Sequence, residues 1–285
     1  MESISYGLHL GDCLDLMPRI ASGSVDMVLA DLPYGTTACK WDSIIPLDQL
    51  WSEYRRVCKP SAAMVFTASQ PFTTKLISSN MDEFRYCWVW EKSCGSNFLL
   101  TNIMPMKVHE DVCVFYRELP IYNPQYEAGR GYTIKRQGAV AVLGEQEVRV
   151  GGAYEDDQRT PRSVHKVNED YEIGALYCRT CRALLPDVTV ANPNRSVLQV
   201  TRETGDHPTQ KPIELMEYFI KTYTDFGDLI LDNTMGSGTT CIAARQLGRR
   251  YIGVEKDPVI FEAARRRVLG FVRLDPVGPQ LGFDL

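Results

Sequence analysis

The sequence lacks any apolar run of the roughly 18 to 20 residues that a membrane-spanning helix requires. Its first residues also lack the basic and then apolar stretch of a secretory signal. It contains no internal repeat and no low-complexity tract, which excludes a repeat architecture. These absences predict a globular protein located in the cytoplasm.

Composition and charge set further limits. The 285 residues are 44% hydrophobic and 24% charged, as expected for one large globular domain or for one domain with a substantial insertion. The net charge of -5 gives no support for a nucleic-acid partner, since binding a polyanion depends on Lys and Arg, although a local basic face can lie on an acidic body. Nine cysteines, an odd number, occur in segments such as 86–88 and 112–114, which favours buried reduced thiols over a disulfide framework.

Buried strands and amphipathic helices alternate along most of the chain. Residues 25–31 form an apolar run that ends on a carboxylate before a loop with Pro and Gly, which indicates a buried strand. Apolar residues follow Pro46 at the spacing of one helix face. This alternation predicts an α/β sheet with helices on both faces. The predicted strands are 25–31, 63–68, 85–90, 111–116, 228–232 and 250–255, and the predicted helices begin at Pro46, Pro212 and Thr239 or cover 71–79 and 258–268.

The interval from about 117 to 204 interrupts this alternation. It is rich in Gly, Tyr, Arg, Asp and Asn, and it holds equal numbers of basic and acidic residues. A structureless loop of this length is uncommon inside a compact domain. We therefore expect a small inserted domain or a functional segment here.

A turn that contains glycines connects a strand to a helix late in the chain. In residues 231–240 (LDNTMGSGTT), Gly236 and Gly238 let the backbone approach a ligand where a helix N-terminus exposes unpaired N–H groups. Glu255 ends the following strand, where it can accept hydrogen bonds from the hydroxyls of a ribose. The G-x-G-x-x-G fingerprint of nicotinamide cofactors and the P-loop lysine are both absent. The turn therefore predicts a different nucleotide-like ligand.

These residues resemble the S-adenosylmethionine-binding region of amino-methyltransferases. The resemblance rests on the segments 236–240 (GSGTT) and 251–255 (YIGVE). Family members usually carry Pro-Phe where this chain has Asn233-Thr234, a departure that removes a hydrophobic contact. The resemblance implies S-adenosylmethionine as the cofactor, held by Asp232, Thr234, Gly236, Ser237, Gly238, Thr239, Thr240, Glu255 and Lys256.

The segment Asp31-Leu32-Pro33-Tyr34 is similar to the Asp-Pro-Pro-Tyr motif of enzymes that methylate exocyclic amines. The lone pair of an aromatic amine is delocalised into the ring, so the site must localise it. An ionised Asp31 and the Leu32 carbonyl would each accept an N–H bond from the amine, while Tyr34 stacks on a flipped base. Leu32 replaces the usual proline, but its role uses only the backbone carbonyl. Taken alone, these four catalytic candidates also suit an ordinary turn after a strand.

Two further segments resemble the same family. In Gly11-Asp12-Cys13, the acidic residue matches the one that bonds the adenine amino group of the cofactor, although Asp is also a common helix cap. Residues 207–212 (HPTQKP) resemble the segment that leads into the helix over the methionine end of the cofactor, although Pro at a helix start is ordinary. The additional cofactor-binding candidates are Asp12, Cys13, Asp31, His207, Lys211 and Pro212.

The order of these parts indicates a subclass. The catalytic segment comes first, the irregular interval second and the glycine turn third, which is the permuted arrangement of the beta group of DNA amino-methyltransferases. The resemblance implies an α/β class I methyltransferase fold: a Rossmann-like, doubly wound mixed sheet, circularly permuted, with an inserted target-recognition region. The parts are a catalytic part (1–116), a target-recognition region (117–204) and a cofactor-binding part (205–285).

Basic and aromatic residues are candidates for contacts to DNA phosphates and base edges, although each is also typical of a solvated surface. These low-specificity candidates are Lys40, Trp41, Arg130, Lys135, Arg136, Arg159, Arg162 and Arg195. Cys178 and Cys181 have the spacing of half a zinc site, but no second cysteine pair follows, so we expect unpaired thiols and no metal.

The sequence thus predicts an N6-adenine DNA methyltransferase that transfers a methyl group directly to a flipped base in double-stranded DNA. In the beta group, Asp at the first motif position goes mostly with adenine and Ser mostly with cytosine, so Asp31 favours adenine. The alternatives are an N4-cytosine DNA methyltransferase, a catalytically silent DNA-binding subunit, and an enzyme that methylates RNA or a small molecule. The family further implies a homodimer and a cognate restriction endonuclease as partners.

Overall fold

A computed structural model of the chain describes residues 4–36, 42–96, 101–125 and 210–270, and the short stretches 127–128, 139–141, 147–149, 158–159 and 197–200. The strands are β1 (Gly7–Leu10), β2 (Val25–Asp31), β3 (Cys58–Ala68), β4 (Phe84–Ser96), β5 (Lys107–Phe115), β6 (Glu127–Ala128), β7 (Ala139–Ala141), β8 (Glu147–Arg149), β9 (Gln158–Arg159), β10 (Val197–Val200), β11 (Leu229–Asp232) and β12 (Arg250–Glu255). The helices are α1 (Cys13–Leu16), α2 (Leu47–Val57), α3 (Phe72–Ser79), α4 (Ile213–Tyr223), α5 (Thr239–Gln246) and α6 (Pro258–Gly270). Among these described helices, none has both the length and the apolar character needed to cross a membrane.

One mixed sheet of eight strands organises the molecule, in the order β1-β12-β11-β2-β3-β5-β4-β10. Strand β5 is antiparallel to both of its neighbours, whereas the other neighbouring pairs are parallel. From β2 the chain proceeds to β3 on one side, and from β11 it proceeds to β12 on the other. The sheet therefore has a topological switch point between β2 and β11, where ligands of open α/β sheets bind at the carboxyl ends of the strands.

Helices cover both faces of this sheet. On one face, Val28 and Ala30 of β2 belong to a core cluster with residues of α2 and α3. On the other face, Met27 and Leu29 belong to a second cluster with residues of α4, α5 and α6. A strand buried on both faces is expected to be apolar along its whole length. This explains why residues 25–31 form a nearly continuous hydrophobic run.

The predicted strands and helices are present, with some differences in their bounds. Strand β3 begins at Cys58 rather than at residue 63, and β4 extends to Ser96 rather than to residue 90. These extra residues include polar and exposed positions of β3, which the search for apolar runs leaves out. Strand β1 is not predicted by the apolar pattern, since it has only four residues and no fully buried side chain.

Parts of the interval 117–204 attach to the main body. The Arg117 side chain donates hydrogen bonds to the carbonyls of Cys58 and Lys59 at 2.9 and 3.1 Å. The backbone N–H of Asn123 donates to the carbonyl of Thr222 at 2.7 Å. Strand β10 extends the main sheet beside β4, while β6 pairs with β9 and β7 with β8. The division of the chain at residues 117 and 204 remains a prediction.

Candidate active site

The catalytic segment and the glycine turn meet at the switch point of the sheet. Asp31 ends β2 and Asp232 ends β11, and these two strands are parallel neighbours. The hydroxyl of Thr234, just after β11, donates a hydrogen bond of 3.1 Å to the backbone carbonyl of Asp31, 203 residues earlier in the sequence. The fold thus joins two segments whose proximity was predicted only by resemblance.

Three side chains bind the carboxylate of Asp31. Its Oδ1 accepts hydrogen bonds from the hydroxyl of Tyr34 at 2.8 Å and from the hydroxyl of Thr67 on β3. Its Oδ2 forms an ion pair of 2.8 Å with the ammonium of Lys211. The Asp31 side chain is nevertheless 32% exposed, so a substrate can reach it. The carboxylate is therefore held in a fixed direction while remaining accessible.

Tyr34 packs its ring against Phe72, the first residue of α3. The two rings are stacked with centroids 5.2 Å apart and an angle of 22° between their planes. Burial, together with the nearby carboxylates of Asp31 and Glu110, raises the pKa of Tyr34 well above its ordinary value. Tyr34 is consequently a neutral hydrogen-bond donor at physiological pH, and its ring contacts both the Phe72 ring and the Lys211 ammonium, which lies 5.6 Å from the ring centre.

A buried carboxylate fixes the backbone that follows Tyr34. The N–H groups of Gly35 and Thr36 donate to Oδ1 and Oδ2 of Asp42 at 2.8 and 2.9 Å. Asp42 is only 7% exposed. Sequence reasoning missed this residue, because a loop Asp carries no signal for which backbone groups it binds. Asp42 restrains the turn on which Tyr34 lies.

Lys211 lies in the segment just before α4, and it contacts two carboxylates. Its ammonium is 2.8 Å from Oδ2 of Asp31 and 3.3 Å from Oε2 of Glu110, and Glu110 also pairs with Lys92 at 3.2 Å. Burial alone would lower the pKa of Lys211, but the carboxylates of Asp31 and Glu110 raise it above its ordinary value. Burial would raise the pKa of Glu110, but Lys211 and Lys92 hold it below its ordinary value. Lys211 and Glu110 are therefore both charged at neutral pH. No sequence pattern pointed to Glu110 or Lys92.

The glycine turn between β11 and α5 has the conformation that its glycines permit. Gly236 and Gly238 adopt φ angles of +50° and +77°, in the left-handed region that favours glycine. A Cβ atom at Gly238 would approach Cγ2 of Val268 to 2.7 Å, so a larger residue does not fit there. The N–H of Gly236 donates to Oε2 of Glu255 at 3.1 Å. Glu255, at the end of β12, therefore lies directly beside the turn.

Two carboxylates of different character flank this turn. Oε1 of Glu255 accepts a hydrogen bond of 2.9 Å from the N–H of Asp257, and each Glu255 oxygen retains a lone pair for a further donor. Asp232 is 4% exposed, and burial raises its pKa to about 7 despite hydrogen bonds from Thr240 and from the N–H of Thr234. Glu255 is thus an acceptor suited to ribose hydroxyls beside the turn, whereas Asp232 is a carboxyl group that titrates near neutral pH.

A comparison with protein-family models identifies this arrangement. Residues 25–266, which include both the catalytic segment and the glycine turn, match the N6/N4 methyltransferase family, described as DNA methylase. The chain belongs to the N6/N4 DNA methylase family. The match covers most of the chain, so the expectation of a DNA amino-methyltransferase family is confirmed.

The chain also matches individual curated relatives over short stretches. It is 46% identical over 70 residues to type II methyltransferase M2.DpnII from Streptococcus pneumoniae, a match that covers 25% of this chain and 26% of the relative. It is 49% identical over 63 residues to type II methyltransferase M2.MboI from Moraxella bovis, covering 22% of this chain and 23% of the relative. The chain thus aligns with about a quarter of the length of these relatives.

Two solved structures share the fold of this chain. The M1.HpyAVI–SAM complex aligns over 94% of this chain and 100% of that one, with a TM-score of 0.55 and 19% identity. The PvuII DNA methyltransferase, described as cytosine-N4-specific, aligns over 97% and 90% of the two chains, with a TM-score of 0.60 and 15% identity. At this identity the likeness concerns the fold alone. The predicted α/β methyltransferase fold is confirmed.

Asn233 and Thr234, where this chain departs from the usual Pro-Phe, both form hydrogen bonds. Asn233 is 2% exposed, and its Oδ1 accepts a hydrogen bond of 2.6 Å from the hydroxyl of Tyr54 on α2. Cys13 lies beside Asn233, and burial raises the pKa of its thiol. With Thr234 bonded to Asp31, polar links to β2 and α2 take the place of the hydrophobic contact that the departure removes.

The remaining cofactor-binding candidates occupy varied positions in the chain. Asp12 is exposed and caps α1, since its Oδ1 accepts a hydrogen bond of 2.9 Å from the N–H of Leu14, as the alternative interpretation expects. Pro212 precedes the first turn of α4, and Lys256 is exposed next to Glu255. Ser237 and Thr239 are bound by Arg267 of α6, a residue that sequence reasoning missed; its Nη1 donates to the Ser237 carbonyl at 2.9 Å and to Thr239 Oγ1 at 3.0 Å.

The last predicted site residues are Leu32, Pro33 and the candidates for DNA contacts. The side chain of Leu32 is buried in the core and Pro33 is partly buried, while the proposed role of the Leu32 carbonyl stays a prediction. Arg159 lies in β9, whose side chains are outside the described part of the structure. The predictions that fall outside the described residues concern Lys40, Trp41, Arg130, Lys135, Arg136, Arg162, Arg195, His207, Cys178 and Cys181.

Proposed function

We propose that this methylase transfers a methyl group from S-adenosylmethionine to the N6 amino group of adenine in double-stranded DNA, acting on a flipped base. One observation carries the proposal. The Asp31 carboxylate, in an Asp-x-Pro-Tyr segment, lies at the carboxyl end of the strand adjacent to the glycine turn, and Thr234 bonds the two segments together. Family membership supplies the reaction class that this geometry serves.

The residues around the turn fit S-adenosylmethionine. Its adenosine part needs close backbone approach and a ribose acceptor, and the glycines at 236 and 238 and the Glu255 carboxylate offer both. Its sulfonium is cationic, and the carboxyl group of Asp232 lies at the strand end that leads into the turn. When bound, S-adenosylmethionine supplies a methyl group activated by the positive sulfur. Glu255, Asp232 and the turn would hold it.

The chain's own residues would bind and orient the amine. A flipped base would stack against Tyr34, whose ring is held by its contact with Phe72. The amine then donates one N–H to Asp31 and one to the Leu32 carbonyl, which pulls the nitrogen toward tetrahedral geometry and directs its lone pair at the methyl group. Methyl transfer would form the new C–N bond and break the bond between the methyl group and sulfur, so that S-adenosylhomocysteine leaves. The nitrogen would lose one proton toward the Asp31 carboxylate, which already accepts its hydrogen bond.

Adenine is the proposed base because Asp31, rather than a serine, holds the first motif position. The fold itself does not distinguish the two bases, since the similar PvuII enzyme is described as cytosine-N4-specific. Mass spectrometry of nucleosides from duplex DNA, treated with the methylase and deuteromethyl-labelled S-adenosylmethionine, tests the choice. We expect labelled N6-methyladenine. Labelled N4-methylcytosine without N6-methyladenine would overturn the assignment of the base.

A catalytically silent DNA-binding subunit is the alternative from another class. Such a subunit has no need of a reachable carboxylate or of a glycine turn with left-handed φ angles, and this chain has both. Calorimetric titration with S-adenosylmethionine separates the two functions, since a silent subunit need not bind the cofactor.

Four further predictions from the sequence remain predictions: the permuted beta-group assignment, a homodimer, a cognate restriction endonuclease and a cytoplasmic location.

A further inference from the structure

Lys211 contacts the catalytic carboxylate directly. From the sequence it is a candidate for the methionine end of the cofactor, yet its ammonium forms an ion pair of 2.8 Å with Oδ2 of Asp31. We propose that Lys211 is a positioning residue for Asp31, held in place by Glu110, and that it determines which oxygen of Asp31 is offered to the amine. This inference rests on the proposed function, because it assigns a role within the same active site.

The hydrogen bonds to Asp31 leave one direction for the substrate. A carboxylate oxygen accepts about two hydrogen bonds in the plane of the group. The hydroxyls of Tyr34 and Thr67 use both acceptor positions of Oδ1. Lys211 uses one position of Oδ2, so a single acceptor position remains. Lys211 therefore fixes the direction from which the amine can approach.

Neighbouring groups in turn fix Lys211 itself. Its side chain is 11% exposed, and its ammonium lies 3.3 Å from Oε2 of Glu110, whose side chain is 13% exposed. The same ammonium lies 5.6 Å from the ring centre of Tyr34 and 5.9 Å from that of Trp90, within the range of cation–π attraction. A buried ammonium with two carboxylates and two aromatic rings around it has few other positions to adopt.

Charge balance gives Lys211 a second effect on Asp31. The charged or titratable groups near Asp31 are Tyr34 on its own loop, Asp232 at the end of β11, Lys211 before α4 and Glu110 on β5, with Lys92 of β4 beyond Glu110. Without the Lys211 ammonium, two neighbouring carboxylates would lack their shared cation. Like charges in a partly buried site favour protonation of one of them. A protonated Asp31 is a weaker acceptor for the amine.

The test compares three variants with the wild type at saturating S-adenosylmethionine and duplex DNA. Lys211→Met removes the charge, Lys211→Arg keeps it, and Glu110→Gln removes the partner that holds Lys211. We expect Lys211→Met to lower the single-turnover rate roughly 100-fold, as a misplacement of about 1 Å can do. We also expect its rate to rise with pH over a higher range than that of the wild type. Lys211→Arg should restore part of the rate, and Glu110→Gln should lower it less.

The affinity for S-adenosylmethionine, measured by calorimetry on the same proteins, separates this role from cofactor binding. We expect the Kd of Lys211→Met to stay within about threefold of the wild-type value, a change of less than 1 kcal/mol. A Kd at least tenfold weaker, with an unchanged rate at saturation, would overturn the inference and assign Lys211 to the cofactor. An equal loss of rate in all three variants, without a shift in the pH profile, would indicate a merely structural residue and would also overturn it.

A measurement without turnover tests the ion pair itself. In a double-mutant cycle of Asp31→Asn and Lys211→Met, followed by urea unfolding, we expect the double variant to lose clearly less stability than the sum of the single losses. The more exposed pair of Glu262 and Arg265, whose side chains are 41% and 47% exposed, serves as the control and should show near-additive losses. Additive losses at Asp31 and Lys211 would contradict the inference. Absence of methyl transfer by the wild type would instead overturn the proposed function, so the two failures are distinguishable.

Discussion

Thr234 and Asp31 are joined by a hydrogen bond of 3.1 Å, from the threonine hydroxyl to the backbone carbonyl of the aspartate. The bond connects the first residues after β11 with the last residue of β2. It therefore couples the position of the glycine turn to that of the catalytic carboxylate. Any shift of one segment relative to the other changes the distance between the methyl donor and the acceptor amine.

Thr234→Val tests this link, because valine keeps the shape of threonine and removes the hydroxyl. We expect a loss of about 1 kcal/mol of unfolding free energy, the usual contribution of one such hydrogen bond. The methylation rate should fall about tenfold, since a small displacement of reacting groups is costly. Urea unfolding and single-turnover kinetics measure the two effects. Thr74→Val, at an exposed threonine that bonds Gln70 within the α3 region, is the control and should change neither.

Asp42→Asn should loosen the turn that carries Tyr34. Asparagine offers one acceptor oxygen, so it can satisfy only one of the two N–H groups of Gly35 and Thr36. We expect a loss of about 1.5 kcal/mol in unfolding free energy, as for a hydrogen bond to a charged group. The methylation rate should also fall, while Asp48→Asn on the exposed first turn of α2 leaves it unchanged. A wild-type rate in Asp42→Asn would show that the turn needs no such restraint.

The buried carboxyl group of Asp232 predicts a specific pH dependence of stability. Its pKa is raised from 3.8 to about 7 by burial, so between these values the folded protein holds a proton that the unfolded chain has lost. The protonated Asp232 therefore contributes fully to stability below pH 3.8, the pKa of the unfolded chain. This contribution is lost as the pH rises through about 7, the pKa of the folded protein. Stability should therefore fall by as much as about 1.4 kcal/mol per pH unit within this window.

Asp232→Asn removes the titrating group and keeps an acceptor oxygen, so it should flatten this part of the curve. Urea unfolding at pH 5 and pH 7 measures the difference for the wild type, for Asp232→Asn and for Asp82→Asn, a change at an exposed carboxylate. We expect the Asp82 variant to follow the wild type. The account of Asp232 is wrong if the wild type and Asp232→Asn lose equal stability between these two pH values.

Arg267 should support cofactor binding from a distance. Its guanidinium bonds the Ser237 carbonyl and the Thr239 hydroxyl, so it stabilises the turn without a contact to the cofactor being required. We expect Arg267→Gln to weaken the affinity for S-adenosylmethionine about tenfold, or about 1.4 kcal/mol. Arg266→Gln on the same helix is the matched control, since the Arg266 side chain is 75% exposed. Calorimetric titration of both variants gives the comparison, and equal affinities would contradict the role of Arg267.

Sequence reasoning predicted the parts of the fold that apolar periodicity and glycine spacing encode. The run at 25–31 and the alternation at 228–255 gave β2, β11, α5 and β12 nearly as observed. The proximity of Asp31 and Gly236 came only from resemblance, because no local pattern states which strands are neighbours. Strand β10 was not predicted for the same reason: its pairing with β4 is a tertiary property.

The side chains that hold the site residues in place were harder to predict than the residues that lie in recognisable motifs. Glu110 and Arg267 act through contacts with groups that are distant in the sequence. Asp42 acts through contacts with backbone groups six and seven residues earlier, which no sequence pattern specifies. Their residue types are common on any surface, so neither composition nor spacing distinguishes them. Lys211 lies in the segment 207–212, which resembles a family motif. Its ion pair with Asp31 nevertheless depends on how the segment before α4 is placed relative to the end of β2, which the sequence does not specify.

In the proposed mechanism, Asp31 accepts a hydrogen bond from the amine of the flipped base and is dispensable for cofactor binding. Single-turnover methylation of duplex DNA by Asp31→Ala, combined with calorimetric titration of S-adenosylmethionine, tests it most directly. The account predicts that methyl transfer is abolished while the Kd of the cofactor stays within about threefold of the wild-type value, less than 1 kcal/mol. A variant that methylates DNA at the wild-type rate would contradict the account.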